Sequence, residues 1–348
     1  MMLISQRLFG KVNEKNVYEY TLKNGNGVEI SCLNYGCAIT KIIVPDRKGN
    51  FENIVIGFQE VADYQKNSIF AGVVVGRVAG RIQDAQFELE GKTYTLPSND
   101  GPNNLHSGPN GFHTVVWDAA IIDKEEEAVV EFSYTSLDGV EGYPGTLTTT
   151  VTYTLNNKNE LTIRYYGQSD KTTLFNPTNH TYFNLSGNFK QDISQHSLKM
   201  KSSRFLEVTE QLLPTGNLLD VKDTVFDFRS ARKISEGINS VDNQNILAGR
   251  GYDHTFVLDS NHDKEIILQD EESGRILTVE TDAVGVVLYT GNHIPDSFDI
   301  YGRKSRRYLG LCLETQGLPD SIHHANFPSC ILQKEQTFTT ATKYTFSV

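Results

Sequence analysis

Apolar and polar residues alternate with a period of two along most of the chain, and this alternation predicts β-strands with one buried face. Helical periodicity is confined to residues 60–66 and 230–237, where we expect two short helices. The predicted strands are residues 28–32, 39–44, 53–56, 86–89, 93–96, 128–134, 146–155, 161–166, 254–258, 265–268, 276–280, 284–289 and 308–313.

Turn signals separate these strands. The dipeptides Asn24-Gly25 and Asn26-Gly27 are typical of hairpins, and Gly91 lies between two predicted strands that it can join in the same way. The chain shows no internal repeat and no Pro- or Ser-rich linker. Many short strands without helical crossovers indicate antiparallel sheets. We therefore expect an all-β fold, a single large antiparallel β-sandwich domain over residues 1–348.

Composition narrows the class of protein. Hydrophobic residues make up 38% of the 348 positions, which is enough for a substantial core. The net charge of −11 argues against nucleic acid or an anionic membrane as a partner, because both favour a basic surface. The N-terminus lacks a signal-peptide pattern, and the most apolar run, residues 71–76, is too short to span a bilayer. We expect a cytoplasmic protein, and the sequence leaves a monomer and a homodimer open.

The segment 176–185, Asn-Pro-Thr-Asn-His-Thr-Tyr-Phe-Asn-Leu, carries the most suggestive chemistry. It places His180 between Asn179 and Asn184, whose amides donate and accept hydrogen bonds, and beside the flat rings of Tyr182 and Phe183. An imidazole can move a proton near neutral pH. This set suits a polyhydroxylated ring that undergoes proton transfer. The alternative is a strand edge with a buried, hydrogen-bonded histidine.

Two further segments offer polar groups. Residues 97–111 are so rich in Gly, Pro, Asn and Asp that they form a loop, and His106 lies near its middle. His106 is either a binding residue or an ordinary surface histidine. Residues 75–82 contain glycines but match no phosphate-binding pattern, so we exclude nucleotide binding. Arg81 in that segment is either an ion-pair partner or a ligand donor.

Two carboxylates follow in the C-terminal part. Asp253 stands at a loop-to-strand junction, where it either accepts sugar hydroxyl hydrogen bonds or caps a turn. Glu314 comes directly after an apolar strand and is expected to be partly buried. A buried carboxylate is costly unless it is paired or functional, so Glu314 is a candidate general base.

Metal and cofactor chemistry have weaker support. The four cysteines lack zinc or redox spacing, and a disulfide framework is not expected in so long a chain. The adjacent His323 and His324 would point to opposite faces of a strand. A zinc site would require His106, His180 and a carboxylate to converge. We favour proton chemistry without a metal or a cofactor. No Gly-x-Ser-x-Gly pattern supports a serine hydrolase.

Together these segments resemble the aldose 1-epimerases, the galactose mutarotases. Segment 176–185 matches that family's signature position for position, and the match is highly specific. Residues 104–106, 251–254 and 313–316 follow in the family order at compatible spacing. The resemblance extends from about residue 30 to the C-terminus. It implies a β-sandwich of galactose-mutarotase type with an open sugar cleft, and a free aldohexose such as D-galactose or D-glucose as the small-molecule partner.

The resemblance also implies roles for individual residues. Glu314 is similar in position to the general base that takes the anomeric hydroxyl proton, and His180 to the general acid that protonates the ring oxygen. His106 corresponds to a second imidazole near that oxygen. Arg81 and Asp253 correspond to residues that bind ring hydroxyls.

Three more residues are expected at the sugar. Asn104 belongs to the matched motif around residue 106, Tyr182 offers a flat face, and Tyr289 stands where family members vary in the residue that lines the pocket. Two departures stand out. Gly80 replaces the commoner Asn before the arginine, and Ser107 replaces the commoner Gly after the histidine. Both are expected to affect sugar preference or affinity rather than the acid–base pair.

The proposed chemistry sets a pKa requirement. An ionised Glu314 and a protonated His180 coexist poorly above neutral pH at their reference pKa values. We therefore expect a neighbouring carboxylate, Glu314 or Asp253, to raise the pKa of His180, and we expect a bell-shaped rate profile.

Three alternative functions remain at this stage. The first is a sugar-binding module of the same fold without catalytic activity. The second is a glycosidase that uses Asp253 and Glu314 as its two carboxylates. The third is a hexose-6-phosphate mutarotase, which should possess a basic phosphate pocket.

Overall fold

The computed structural model describes residues 2–348, and strands dominate it. In chain order the strands are β1 Leu3–Val12, β2 Lys15–Lys23, β3 Glu29–Leu33, β4 Ile39–Pro45, β5 Phe51–Asn53, β6 Val74–Val75, β7 Arg81–Ile82, β8 Gln86–Leu89, β9 Lys92–Thr95, β10 Asn104–Leu105, β11 Asp118–Ile122, β12 Glu127–Ser136, β13 Leu147–Asn156, β14 Glu160–Ser169, β15 Thr173–Leu174, β16 Thr178–Asn179, β17 Tyr182–Phe183, β18 Ser197–Met200, β19 Arg204–Val208, β20 Pro214–Asp220, β21 Arg232–Lys233, β22 Asp253–Val257, β23 Ile266–Gln269, β24 Ile276–Thr281, β25 Gly285–Tyr289, β26 Asp299–Ile300, β27 Arg303–Lys304, β28 Leu311–Gln316, β29 Ile331–Leu332 and β30 Thr337–Ser347.

Helices are few and short. The α-helices are α1 Val61–Gln65, α2 Ile234–Ile238 and α3 Asn243–Leu247, and single 3₁₀ turns occupy Gln83–Ala85, Phe112–Thr114, Val140–Gly142 and Ile193–Gln195. The two helices predicted from the sequence are confirmed as α1 and α2. The third, α3, was not predicted. It begins after Asp242, whose side chain accepts a hydrogen bond from the backbone N–H of Gln244 at 2.8 Å. No helix within residues 2–348 has the length and apolar character needed to cross a bilayer.

Three large antiparallel sheets form most of the fold, with five two-stranded sheets beside them. The largest has nine strands in the order β11-β12-β13-β14-β30-β24-β23-β18-β21. The second has six strands in the order β17-β28-β25-β22-β19-β20, and the third is a five-stranded meander from β1 to β5. The nine-stranded sheet pairs strands distant in sequence, since β14 lies beside the C-terminal β30. The prediction of an all-β, large antiparallel sandwich is confirmed.

The main core contains buried apolar residues from all three large sheets. Ile30 and Ile42 come from the five-stranded sheet, and Tyr153 comes from the nine-stranded sheet. Phe256 and Leu313 come from the six-stranded sheet. Because successive side chains of a strand point to opposite faces, the six-stranded sheet buries one set and presents the alternate set elsewhere. Residues of that second set line an open cleft.

Most predicted strands are confirmed to within a few residues, and two are displaced. The strand predicted at residues 53–56 ends at Asn53 because its side-chain oxygen accepts the N–H of Ile42 at 3.0 Å, in place of a backbone carbonyl. The strand predicted at residues 308–313 instead spans Leu311–Gln316. Tyr308 has a φ of 60°, which is incompatible with a strand. Glu314 therefore lies inside a strand rather than after it.

Candidate active site

An open cleft lies over the face of the six-stranded sheet that points away from the core. Its empty volume is about 1000 Å³, including space open to solvent. Its lining residues are Ser68, Ile69, Phe70, Gly80, Arg81, Leu105, His106, His180, Tyr182, Leu206, Val208, Leu212, Pro214, Asp253, Thr255, Val287, Tyr289, His293, Glu314, Gln316 and Pro319.

Strand periodicity and register place the central residues of this cleft. In β28, Leu311 and Leu313 join the core, whereas Glu314 and Gln316 line the cleft. Across the sheet, Glu314 lies opposite Val287. A second row, two residues along the strands, consists of Tyr182, Cys312, Tyr289 and Asp253. Acidic groups from two non-adjacent strands therefore share one face.

His180 lies in the short connection between β16 and β17, directly over Glu314. Its backbone N–H donates to the carbonyl of Val73 at 2.9 Å, and its carbonyl accepts from Gly72 at 3.0 Å. Its Nε2 is 3.6 Å from Oε1 of Glu314. Its Nδ1 is 3.4 Å from Sγ of Cys312. Both His180 and Glu314 are buried, with 5% and 3% exposure.

Burial controls the protonation of this pair. It lowers the pKa of His180 to about 4, and it raises the pKa of Glu314 well above its ordinary value, with Asp253 adding a further increase. The expectation that neighbouring carboxylates raise the pKa of His180 is therefore wrong. The cost of placing a charge in this buried site exceeds the attraction of the carboxylates. A pair that shares one proton, and so has no net charge, satisfies both tendencies.

His106 completes the group from the loop 97–111. Its Nδ1 accepts a hydrogen bond from the backbone N–H of Gly80 at 3.1 Å, and its backbone N–H donates to the carbonyl of Gly80 at 2.9 Å. Its ring packs edge-to-face on His180 with centroids 5.4 Å apart. Burial, followed by the charges of His180 and Arg81, lowers the pKa of His106 well below its ordinary value. In the neutral ring the proton is on Nε2, because Nδ1 is an acceptor.

The convergence that a zinc site would require is present, since ligand atoms of His106, His180 and Glu314 all lie within 4.8 Å of one another. The chemistry of the donor set fits a metal poorly. The lone pair of Nδ1 in His106 is occupied by the N–H of Gly80, so Nε2 carries the proton and cannot ligate without becoming an imidazolate. The arrangement instead provides a hydrogen-bond donor, a carboxyl group and an imidazole that can exchange protons with a bound molecule.

The predicted sugar-binding residues Arg81 and Asp253 both line the cleft. Nε of Arg81 donates to Oδ2 of Asp100 at 2.7 Å, and the Arg81 side chain is 17% exposed. Burial raises the pKa of Asp253, whereas the positive charges of Arg81 and His293 lower it. Within residues 2–348 no side-chain hydrogen bond contributes to the pKa of Asp253.

The other three predicted binding residues differ in position. Tyr182 lines the cleft and donates its hydroxyl to the carbonyl of Ile69 at 2.9 Å, so it offers a ring face. Tyr289 also lines the cleft. Asn104 does not belong to the lining. Its amide nitrogen donates to the carbonyls of Pro97 and Gly108 at 2.8 and 2.9 Å, and it thereby holds the loop that presents His106.

The two departures from the family pattern have structural explanations. Gly80 lines the cleft with a φ of 78°, and a Cβ there would approach the Cβ of Pro319 to 2.8 Å. Ser107 lies outside the cleft lining. Its hydroxyl accepts the N–H of Val78 at 2.8 Å and contacts the hydroxyl of Tyr143 at 2.9 Å. Of the two, only Gly80 can contact a ligand.

His323 and His324 are not in a strand, so the prediction that their side chains point to opposite faces of a strand is wrong. His323 and His324 follow Asp320 in a turn, and both approach its carboxyl group, at 2.6 and 4.0 Å. The hydrogen bond between His323 and Asp320 raises the pKa of His323. This cluster is outside the cleft lining.

Four residues that the sequence argument did not select contribute to the site. The ring of Phe70 contacts three imidazoles, those of His106, His113 and His180, with centroids 4.8, 4.9 and 5.9 Å away. Gln316 lines the cleft, and its buried side-chain oxygen has no hydrogen-bond partner in the part of the chain that the structure describes. Period-two reasoning from Glu314 would have found Gln316. No sequence signal identifies Phe70, which lies in a loop. The other two are Cys312 and His293.

Fold and site together define a class: β-sandwich proteins with an open cleft that is lined by buried imidazole and carboxyl groups. The chain belongs to the aldose 1-epimerase family. The family model described as Aldose 1-epimerase matches residues 18–345. Because the match covers nearly the whole chain, membership applies to the entire fold.

Individual relatives agree with this assignment. Galactose mutarotase of Bos taurus is 36% identical, with 100% of each chain covered. Aldose 1-epimerase of Streptococcus thermophilus is 37% identical over 96% of this chain and 95% of the relative. The crystal structure of galactose 1-epimerase from Lactobacillus acidophilus NCFM superposes with a TM-score of 0.90 at 32% identity, covering 100% of this chain and 99% of that one.

Proposed function

We propose that the protein is a mutarotase, an isomerase that interconverts the α and β anomers of free aldohexoses such as D-galactose and D-glucose. The observation that carries this proposal is the meeting of His106, His180 and Glu314 within 4.8 Å at the cleft. Ring opening of a hemiacetal needs one proton removed and one donated around the same C1 centre. Glu314 and His180 are sufficient for these two proton transfers without a cofactor.

The mechanism follows from the positions of the two groups. Glu314 takes the proton of the anomeric hydroxyl, the C1–O5 bond breaks, and His180 gives its proton to O5, which yields the open-chain aldehyde. Rotation about C1–C2 then presents the other face of the aldehyde. His180 takes the proton back as O5 attacks C1, and Glu314 returns its proton to the new anomeric hydroxyl. Atoms and protons balance, and the enzyme regains its starting state.

Burial assists the first step of this mechanism. The step starts from an ionised Glu314 and a protonated His180 and ends with both groups neutral. Burial raises the pKa of Glu314 and lowers that of His180, so the carboxylate is a stronger base and the imidazolium a stronger acid. The reacting ion pair and the neutral pair have the same net charge. Reaching the ion pair therefore requires a proton shift within the site and no proton from solvent.

The remaining residues bind and orient the sugar. We infer that Nε2–H of His106 donates to the ring oxygen, because Nδ1 already accepts the N–H of Gly80. Arg81 and Asp253 are the groups available to ring hydroxyls, and the rings of Tyr182 and Tyr289 form apolar surfaces. We infer that the partner is a small aldohexose. A phosphorylated sugar is disfavoured because the cleft lining holds no lysine and a single arginine, Arg81, which is already paired with Asp100.

We extend the proposal to the protein's organisation. Residues 1–348 are proposed to act as one domain, as a monomer or a homodimer in the cytoplasm. The net charge of −11 favours a soluble partner over nucleic acid or an anionic membrane.

Polarimetry tests the proposed function directly. Freshly dissolved α-D-galactose and α-D-glucose are followed with wild type, with Glu314→Gln, and with Glu88→Gln, which makes the same change at an exposed position of β8. We expect wild type and Glu88→Gln to speed the approach to an unchanged final rotation, and Glu314→Gln to lose most of that rate. Sugar binding without acceleration would support a binding module. Release of reducing sugar from a nitrophenyl galactoside would indicate a glycosidase.

A further inference from the structure

The phenyl ring of Phe70 contacts three imidazoles at the inner end of the cleft. Its centroid is 4.8 Å from that of His106, 4.9 Å from that of His113 and 5.9 Å from that of His180. The rings of His106 and His180 also contact each other, with centroids 5.4 Å apart. Phe70, His106 and His180 all line the cleft. The phenyl ring therefore fills space beside both imidazoles that water from the cleft would otherwise occupy.

Hydrogen bonds on both sides of Phe70 fix its backbone. The side chain of Asn67 accepts the N–H of Ala71 at 2.8 Å and donates to the carbonyl of Ala71 at 3.1 Å. The carbonyl of Ile69 accepts the hydroxyl of Tyr182 at 2.9 Å. Phe70 itself has a φ of 55°, a left-handed conformation that a residue with a bulky side chain adopts only where the surrounding structure imposes it. The ring is thus held at one position against the imidazoles.

The three imidazoles share an environment that disfavours a positive charge. Burial lowers the pKa of His180 and that of His113 to about 4, and it lowers the pKa of His106 well below its ordinary value. A charge on His113 would lower the pKa of His180 further, and charges on His180, Arg81 and His113 act in the same direction on the third ring. Nε2 of His180 is 3.6 Å from a carboxyl oxygen of Glu314, which can balance a positive charge there.

We propose that Phe70 is a positioning residue that shields the imidazoles from water: its ring keeps His106 and His113 neutral, so that the proton of the site belongs to His180 and Glu314. This inference rests on the proposed function, in which that pair exchanges protons with the sugar. Without the ring, water would solvate an imidazolium at any of the three histidines. The proposal assigns to Phe70 no contact with the sugar.

An aromatic ring can also act in the opposite direction. A ring within about 6 Å of a cation attracts it, and such a contact would favour a charged imidazole. The pKa of each of the three imidazoles is nevertheless lowered, with burial as the largest cause. Exclusion of water therefore outweighs attraction by the ring. The two effects can be separated by experiment, because a leucine side chain excludes water but has no ring.

Other titratable groups face the imidazoles, and a pH experiment must account for each of them. They are Glu314 and Cys312 from β28, Asp253 from β22, Tyr289 from β25, Tyr182 from β17 and, next to His106, Arg81 from β7. A substitution at Phe70 leaves all of these side chains unchanged. A change in the titration of His180 in a Phe70 variant is therefore caused by loss of the ring or by the water that replaces it.

Two substitutions distinguish shielding from attraction. In Phe70→Ala water replaces the ring, so we expect the pKa of His180 to rise from about 4 to roughly 5–6, towards the ordinary value of a histidine. In Phe70→Leu an apolar side chain still fills most of the space, and we expect less than about half of that rise. The control is Phe338→Ala, which removes another partly buried ring, one that packs on Phe175 outside the cleft lining. We expect no change in the control.

The experiment follows the histidine ring signals by NMR from about pH 3.5 to 8, with each signal assigned by its loss in the corresponding Asn variant. Polarimetry over the same range gives the acid limb of kcat/KM, which should move with the titration of His180. An unmoved titration in Phe70→Ala overturns the proposal, and so does an equal rise in Phe338→Ala. A fall in the pKa of His180 in both Phe70 variants would also overturn it, because attraction by the ring would then be the stronger effect.

The wild-type protein tests the proposal even if a variant does not fold. We expect His106 and His113 to be neutral at about pH 5.5, and a protonated ring at either position would overturn the shielding role. The NMR titration requires no turnover, so it decides the proposal even if mutarotation is not observed. Normal mutarotation together with an unmoved titration in Phe70→Ala would reject the role of Phe70 and leave the proposed function standing.

Discussion

Nε2 of His180 lies 3.6 Å from Oε1 of Glu314, and neither side chain exceeds 6% exposure. One group comes from the connection before β17 and the other from the middle of β28. Glu314 is thus held by the six-stranded sheet, and backbone hydrogen bonds to Val73 and Gly72 hold His180, which favours a defined geometry for proton transfer. Five predictions concern this pair and the residues around it.

Glu314→Gln and His180→Asn each remove one member of the acid–base pair. A positioned acid or base contributes roughly 10²–10⁴-fold to a rate, so we expect kcat to fall on about that scale in each variant. Polarimetry with D-galactose measures the loss, and circular dichroism checks the fold. The double variant should lose little more than either single variant, because the two groups act in one step. A folded Glu314→Gln protein with near wild-type kcat would contradict the assignment of the base.

The rate profile should depend on pH in a way that reverses the usual assignment of its limbs. The active pair holds one proton. Burial lowers the pKa of His180 to about 4, so addition of a second proton produces the acid limb near that pH. Burial raises the pKa of Glu314, so loss of the only proton produces the alkaline limb, well above the ordinary range of a carboxyl group. We expect a broad plateau of kcat/KM between them. An acid limb near pH 6.5 would show that His180 titrates as a free imidazole.

Stability should also depend on pH through the same residues. The pKa of Glu314 is raised in the folded state, so the folded protein binds more protons than the unfolded chain above the ordinary pKa of a glutamate, and stability falls as the pH rises. Glu314→Gln removes this effect. We expect the variant to be at least as stable as wild type at pH 8, by urea denaturation. Loss of stability there would mean that the carboxylate contributes favourable contacts beyond its charge.

Histidines give the opposite slope at low pH. Burial lowers the pKa of His180 to about 4 and that of His254 to about 3. Below pH 6.5 these histidines therefore bind protons in the unfolded chain but not in the folded protein. Stability should therefore fall from pH 6.5 to 5, by about 1.4 kcal/mol per pH unit for each such group. His180→Asn should make this slope shallower.

The buried side-chain oxygen of Gln316 at the cleft has no hydrogen-bond partner among residues 2–348, and a substrate hydroxyl would provide one. We expect Gln316→Leu to raise KM by about 3- to 10-fold, the equivalent of one lost hydrogen bond, with a smaller effect on kcat. Gln168→Leu, at a position on β14, is the matched control. Deoxy sugars then locate the contact. The analogue that lacks the contacted hydroxyl should have the same KM with wild type and with Gln316→Leu. Unchanged KM for every sugar would exclude the contact.

Local patterns predicted the strands because the period of two is set by the backbone and does not depend on neighbours. The strand at residues 86–89 was predicted at its exact bounds. The predicted strand bounds were wrong where a side chain or a turn replaced the backbone hydrogen bonds between strands. At Asn53, for example, the side-chain oxygen accepts the N–H of Ile42. The three-residue displacement of the strand around Leu311 had the same kind of cause, a left-handed backbone at Tyr308.

In the candidate site, too, the sequence identified some residues and missed others. The sequence supplied His106, His180, Asp253 and Glu314 as residues of the right chemical type, and its resemblance to a family assigned them roles. It could not supply Phe70, whose importance is its packing against three imidazoles from distant segments. Asn104 was placed at the sugar, whereas it holds the loop behind His106.

By itself the sequence determined the all-β class, the antiparallel sandwich and the residue types of the acid–base pair. Each of these depends on local alternation or on the identity of a side chain. Only the tertiary structure decided the protonation of that pair. Burial depends on everything packed around a group, and here it lowers the pKa of His180 against the expectation from its charged neighbours. The direction of a proton transfer is therefore a property of the assembled cleft, because desolvation is a sum over residues that the chain brings together from distant positions.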